Sequence, residues 1–440
     1  MDAECSVRRD LVTANRAPMR LRYGSSSRLQ PASAYVCYHE PGCLEAWYPG
    51  VHIHFPSTRL SKPRVQAIKR LDTDDNYIPP CEASNREVPG ATFLEAIGAV
   101  KTERREYESL LLLNALFKHE PIPPRNQARM AEFAKRNKVQ LRSAALLQLP
   151  KEKEAELQAD VDEGFRLYDF MSKTFEENQV DYVILKSFDS LPELGHDLDF
   201  LVPNPSQFET AKSVMIDKLH GNPQELTHCD KLVGKFSCFL PGFTHDFEIY
   251  PNVSQLGEQY FDPNEVFTRR IKAQVQGRTV WMMSDTDRAF IRIIHAMYRH
   301  NFLKLSDVID FPRLIQNCST EDLTERIDRA GMGDSYLFFL ATEKRFLDRC
   351  QQPSPKLDEL LEAAKKRFGA DRLTFLEKDR LVLPYRIPTT GLVILFLLKA
   401  GRDTARGRIR SALYCLLAPP LIILDFINAA LGQKLLQRIW

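Results

Sequence analysis

The 440-residue chain lacks most of the signatures by which a sequence declares its chemistry. Its nine cysteines, at positions 5, 37, 43, 81, 229, 238, 318, 350 and 415, contain no CxxC pair. An odd count at irregular spacing excludes a disulfide framework or a zinc knuckle and fits a reducing compartment. There is no Walker A loop, no GxGxxG, no GxSxG and no HExxH. No uncharged apolar run reaches the roughly 18 residues expected of a spanning helix. The opening MDAECSVRRDLVTANRAPMRL has no apolar core of a secretory signal. Lys and Arg total 60 against 58 Asp and Glu, a net of +2. That balance exerts no global pull on nucleic acid or membrane. No basic stripe with interleaved aromatics marks an RNA groove, and no internal repeat is visible. The expectation is a cytoplasmic protein.

What is present is a sizeable core and a change of texture along the chain. Apolar residues make up 44% and charged residues 27%, the balance of a globular protein. Residues 1–90, rich in Pro, Ser, Arg and Tyr, are an N-terminal extension of unassigned fold. Residues 91–178 read as helical, with Leu157, Val161, Phe165, Tyr168, Met171 and Phe175 forming one apolar stripe. Residues 179–282 alternate strand-like and helix-like runs. Val180–Lys186 and His196–Pro203 read as strands, Pro205–Leu219 as a helix. Lys235–Leu240 and Thr244–Tyr250 read as strands joined by a Pro241-Gly242 turn. Residues 283–388 are helical again, opened by the cap pattern Ser284-Asp-Thr-Asp287. Residues 389–440 form apolar and basic C-terminal helices. The fold class expected is α/β (α+β), a mixed sheet core with flanking helical domains.

The chemistry concentrates in the strand-like runs. Side chains on a strand alternate faces, so Asp197 and Asp199 share one face and Leu198, Phe200 and Val202 the other. Asp246 and Glu248 share a face in the same way, opposite Phe247 and Ile249. Adjacent like charges on one face repel unless they are solvated or hold a cation. If the two strands are neighbours, four carboxylates converge. Hard oxygen ligands of this kind hold Mg²⁺ in phosphoryl and nucleotidyl transfer. The bland reading is a solvated edge strand.

The order strand, Lys186-Ser187, short loop, Asp197-Leu-Asp-Phe-Leu-Val202, helix, then His245-Asp-Phe-Glu248 resembles the DNA polymerase β-like nucleotidyltransferase superfamily. More narrowly, it resembles the uncharacterised bacterial nucleotidyltransferase family 5. A helix with two histidines, His295 and His300, followed by Asp307 and Asp310, extends the resemblance over roughly residues 160–350. The resemblance implies a nucleotidyltransferase-type core and a bacterial source. It implies Asp197, Asp199 and Asp246 as catalytic carboxylates, with Glu248 beside them as metal ligands for Mg²⁺ or Mn²⁺. Lys186 and Ser187 would face the triphosphate of an NTP such as ATP, and Asp246 would draw the proton from an acceptor hydroxyl. The chain departs from the family at Lys186, where a glycine is usual, and at Glu248, where a histidine is. The resemblance leaves open a phospho-sugar or phospho-alcohol transferase using a nucleotide-activated donor, and a non-catalytic nucleotide-binding module. The acceptor is not named by the sequence.

Other clusters carry less. His295 and His300 are five apart and on a regular helix would not share a face. Asp307 and Asp310 are expected to form a polar network with Arg299 or His300. His52-Ile-His54 and His228-Cys229-Asp230 lack further ligands or partners nearby. The segment 399–440 carries seven Lys/Arg against two Asp, a net of +5. Its apolar runs, Leu392–Leu398 and Ala412–Leu424, are expected to pack on the helical domain. Peripheral attachment to the inner face of an anionic membrane through residues 389–440 is the alternative.

Overall fold

The computed structural model describes residues 93–255, 258–369, 378 and 380–430, together with the backbone of four short strands further upstream. The chain divides into two compact units, residues 1–103 and 104–440. In the first, β1 (Tyr35–Glu40), β2 (Cys43–Tyr48), β3 (Val51–Phe55) and β4 (Ile68–Lys69) form an antiparallel sheet in sequential order. His52 and His54 lie on β3, but their side chains lie outside the described residues.

The larger unit is mixed α/β. Helices α1 (Phe93–Lys118), whose residues from 104 onward belong here, α2 (Gln127–Arg136) and α3 (Lys151–Glu177) precede a seven-stranded sheet. That sheet is built from β5 (Val183–Ile184), β6 (Asp197–Leu201), β7 (Asn222–Pro223), β8 (Phe236–Phe239) and β9 (Asp246–Tyr250), with a hairpin from further along the chain. The hairpin strands, β12 (Ile271–Val275) and β13 (Arg278–Met282), follow a small two-stranded sheet of β10 (Val253–Gln255) and β11 (Glu258–Phe261). The order is β12-β13-β5-β6-β9-β8-β7. Pairing is antiparallel except for β13–β5 and the central β6–β9. Helices α4 (Pro205–Ser213), α5 (His228–Val233) and α6 (Pro263–Arg269) lie between strands. Downstream come α7 (Asp285–Ile294), α8 (Leu305–Leu314), α9 (Thr320–Arg329), α10 (Gly333–Arg349), α11 (Pro355–Phe368), α12 (Thr389–Ala405) and α13 (Ile409–Ala430).

Local sequence explains most boundaries. Asn204 caps α4 by accepting from the Gln207 N–H at 3.0 Å, with Pro205 in the first turn where its missing N–H costs nothing. Ser284 caps α7 by accepting from the Asp287 N–H at 3.2 Å. Gly242 adopts φ +84° in the turn between β8 and β9. The expected strand over Val180–Lys186 is shorter than its composition implies. Val180 still bonds back to the Phe175 carbonyl at 2.8 Å, and the chain leaves the sheet after Leu185.

The period-two pattern of β6 and β9 sorts their side chains between two cores. Leu198, Phe200, Phe247 and Ile249 pack with Phe165, Tyr168 and Phe175 of α3. Leu201 and Tyr250 belong to the core formed with α7 and the helices beyond it. The acidic residues of both strands therefore lie on the face turned toward α7.

Helices α12 and α13 pack on this unit. Leu395, Phe396, Ala400, Ala412, Cys415 and Ala418 enter its core. Lys399, fully buried, bridges Glu258 at 2.8 Å and Asp403 at 2.7 Å. Residues 431–440 lie outside the described residues.

Candidate active site

Parallel pairing of β6 with β9 sets Asp197 opposite Asp246 and Asp199 opposite Glu248. Carboxylate oxygens of Asp197, Asp199 and Glu248 come within 4.8 Å of one another; Asp246 stands beside this trio rather than in it. Gly195 makes room for the first of them, since a Cβ there would lie 2.9 Å from Asp197 Oδ1.

The loop joining β5 to β6 is held from three sides. Phe188 stacks on Phe165 at 5.1 Å. Arg288 pairs with Asp189 at 2.7 Å, and Arg292 donates to Ser190 Oγ at 3.0 Å. Arg142 donates to the carbonyls of Ser190 and Leu191 and pairs with Asp310 at 2.7 Å. The Arg142 backbone N–H also donates to Glu193, whose carboxyl burial pushes up to about 7. Asp307 and Asp310 thus join Arg292 and Arg142, not Arg299 or His300. Arg299 goes instead to Asp230, 3.1 Å away.

Around the carboxylates the contacts are dense. Lys186 Nζ lies 3.3 Å from Asp199 Oδ2 and 3.6 Å from Asp197 Oδ2. Ser187 Oγ accepts from the Asp199 N–H at 2.9 Å, which ties the end of β5 to β6. Lys235 pairs with Glu248 at 2.6 Å and with Asp230 at 3.4 Å. The Tyr250 hydroxyl lies 2.9 Å from Asp199 Oδ1 and 2.5 Å from Glu248 Oε2. It carries one proton, so the second contact needs a proton or a cation shared by the carboxylates.

Electrostatics point the same way. Burial opposes the charge on Asp197, but Lys186, with Lys138, Lys235 and Arg299 further off, holds it below the usual carboxylate range. Burial, with the neighbouring Asp197 and Glu248 charges, pushes Asp199 up to about 7 despite Lys186. Asp246 is raised by burial and by Asp197 and Glu248. Five carboxylates, Asp197, Asp199, Asp230, Asp246 and Glu248, lie among the cations Lys186, Lys235 and Arg299, with Lys138 further off. The donors are all hard oxygens. That set fits a divalent cation of the Mg²⁺ type.

Asp197 and Asp199 open onto a cleft of about 130 Å³, several times what a water needs. Lys138 and Lys304 line it, and neither forms an ion pair among the described residues. Asn137 brings them together. It is fully buried at the end of α2, and its side-chain oxygen accepts from the Leu305 N–H at 3.2 Å, at the start of α8. Burial and the Lys138 charge lower Lys304 to about 8.

His295 and His300 also line the cleft, their rings 5.6 Å apart. The regular-helix expectation separates them; the structure does not. Residues His295–Arg299 form a π-helical turn, and the His300 N–H bonds to the His295 carbonyl at 2.8 Å. An i→i+5 turn brings positions five apart onto one side. Burial drives both imidazoles well below their ordinary range.

No protein-family model matches the chain, and no curated protein does. A solved structure it is similar to is that of the antibiotic-resistance factor ANT(2'')-Ia, at 14% identity and a TM-score of 0.25. The overlap covers 47% of this chain and 92% of that one. A likeness of that strength bears on neither fold nor activity.

Sequence reasoning reached the four carboxylates, Lys186 and Ser187. It missed Tyr250, although period two places it on the same face as Asp246 and Glu248. It also missed Lys138, Lys235, Lys304 and Glu193, which have no local signal. In His228-Cys229-Asp230, Asp230 is the partner of Lys235 and Arg299, and the Cys229 side chain lies outside the described residues.

Proposed function

We propose that this chain is a Mg²⁺- or Mn²⁺-dependent nucleotidyltransferase that moves an NMP unit from an NTP to a hydroxyl of an acceptor. The observation that carries the reading is the parallel pairing of two acidic strands, one of which turns Asp197 and Asp199 into a cleft also lined by Lys138 and Lys304, neither in an ion pair among the described residues. Carboxylates alone would fit many cation sites. Carboxylates facing Lys138 and Lys304 fit a polyanion that brings its own cation.

In this reading Asp197, Asp199 and Glu248, with Asp246 adjacent, hold the divalent ion, which would supply charge neutralisation to the triphosphate. Lys138 and Lys304 bind the outer phosphates as point charges. Ser187 keeps the backbone at Asp199 fixed, and Lys186 shares its charge between Asp197 and Asp199. Asp246, with its raised proton affinity, takes the proton of the acceptor hydroxyl as that oxygen attacks the α-phosphorus. The bond from the α-phosphorus to the bridging oxygen breaks, and pyrophosphate leaves.

One observation favours a second reading, a nucleotide-binding module without turnover. The Lys186 ammonium already lies between Asp197 and Asp199 and supplies part of the charge a metal would. The test is transfer of label from each NTP, labelled at the α-phosphate, in cell extract with Mg²⁺ or Mn²⁺. Label on a product with wild type and not with Asp197→Ala/Asp199→Ala supports transfer. Nucleotide binding without label transfer by any NTP favours the binding module.

A further inference from the structure

The C-terminal hairpin is apolar on the side that faces away from its own core. Helix α13 buries Ala412, Cys415 and Ala418 and exposes Ile409, Leu413, Leu416, Leu417 and Leu424. The exposed set recurs at helical spacing and forms one stripe. Helix α12 adds Ile394, Leu397 and Leu398 at i, i+3 and i+4. Eight of the eleven large apolar residues exposed among the described residues are on these two helices. Scattered apolar residues need no explanation, but a concentration of this kind marks a surface that meets something apolar.

The inner face of the hairpin is already fixed. Lys399 between Glu258 and Asp403 anchors it, and Ser411 joins the same buried network. The outer stripe is therefore a second apolar face, not a misplaced core face.

The composition of the stripe selects its occupant. Ser411–Leu424 contains no charged residue across fourteen positions. A protein interface surrounds its apolar centre with polar groups that hydrogen-bond across it; here the hydroxyls are those of Ser411 and Tyr414, both in the first turn of the stretch. The charges next to it in the sequence are Arg410 before it and Asp425 after it. Arg410, at the start, touches the Tyr414 hydroxyl and pairs with no carboxylate among the described residues. The sequence after the described residues, Leu431–Trp440, carries Lys434 and Arg438, no acid, and a terminal tryptophan. An uncharged apolar helix face with a cation at its start fits a segment lying in an anionic lipid interface. No helix among the described residues is long and apolar enough to cross a membrane.

We propose that the outer face of α12 and α13 docks flat on an anionic phospholipid bilayer. The reading is independent of the chemistry at Asp197 and Asp199. The test is flotation of the full chain with vesicles of phosphatidylcholine alone and of phosphatidylcholine with phosphatidylglycerol. Wild type is expected to float with the anionic vesicles and less with the neutral ones. Leu413→Glu/Leu417→Glu is expected to weaken binding at least about tenfold. Arg410→Glu is expected to weaken it about fivefold or more, with a smaller response to salt. Leu416→Ser, a milder change at an exposed position, keeps the test valid if the double variant does not fold. Failure of wild type to bind anionic vesicles, or equal binding by the folded variants, overturns the proposal. So does a wild-type dimer that the double variant dissociates, since a second copy would then cover the stripe.

Discussion

The ammonium of Lys186 lies 3.3 Å from Oδ2 of Asp199, on the carboxylate face where the divalent ion is proposed to bind. A fixed positive charge there competes with a divalent ion while easing the repulsion between Asp197 and Asp199. Lys186→Met removes the charge and keeps the apolar stem. Mn²⁺ affinity, read by paramagnetic resonance titration, is expected to rise on the order of tenfold. Turnover is expected to fall, because the triphosphate loses a neighbouring cation. Unchanged Mn²⁺ affinity would place the ion away from Asp199.

Tyr250 has one proton for two carboxylates. Tyr250→Phe removes it and leaves buried oxygens of Asp199 and Glu248 without that donor. Unfolding by urea without divalent ion is expected to show a loss of about 2 kcal/mol. Saturating Mg²⁺ is expected to shrink the loss, since the ion satisfies the same oxygens.

Lys304 sets a pH dependence. Burial, with Lys138 close by, lowers it to about 8, so it is charged below that pH and neutral above. Anion binding needs the charged form. NTP affinity of the free protein is therefore expected to weaken as pH rises through about 8. Lys304→Gln is expected to bind NTP more weakly at neutral pH and to flatten this limb. A wild-type profile with no decline through that range would remove Lys304 from the nucleotide site.

Gly195 is needed for space. A Cβ at 2.9 Å from Asp197 Oδ1 forces the carboxylate aside. Gly195→Ala is expected to lower turnover up to about a hundredfold, the effect of a misplacement near 1 Å. Its thermal midpoint should change little, because the added methyl meets a partly exposed side chain rather than the core.

The sequence carried the parts of this account that depend on local periodicity. Asp197, Asp199, Asp246 and Glu248 were legible because a strand alternates its faces, and the same rule reaches Tyr250. The helices after Ser284 were legible from a cap and a 3.6-residue stripe. The short β5 was not, since its apolar run continues past the point where the chain turns away from the sheet. The approach of His295 to His300 was hidden because a π-helical turn breaks the spacing on which helical reading rests. Lys138 and Lys304 were hidden for a different reason. They stand far apart in the chain, and a buried asparagine, Asn137, brings their elements together.

The proposed reaction transfers the α-phosphate of an NTP, not the γ-phosphate. Purified protein with Mn²⁺ and cell extract would be given ATP labelled at the α-phosphate in one reaction and at the γ-phosphate in the other, then the same with the remaining NTPs. The expected result is α-label on an acceptor and γ-label released in pyrophosphate, both abolished by Asp197→Ala/Asp199→Ala. Appearance of γ-label on the acceptor, or no movement of either label from any NTP by protein that binds Mn²⁺ and nucleotide, would contradict it.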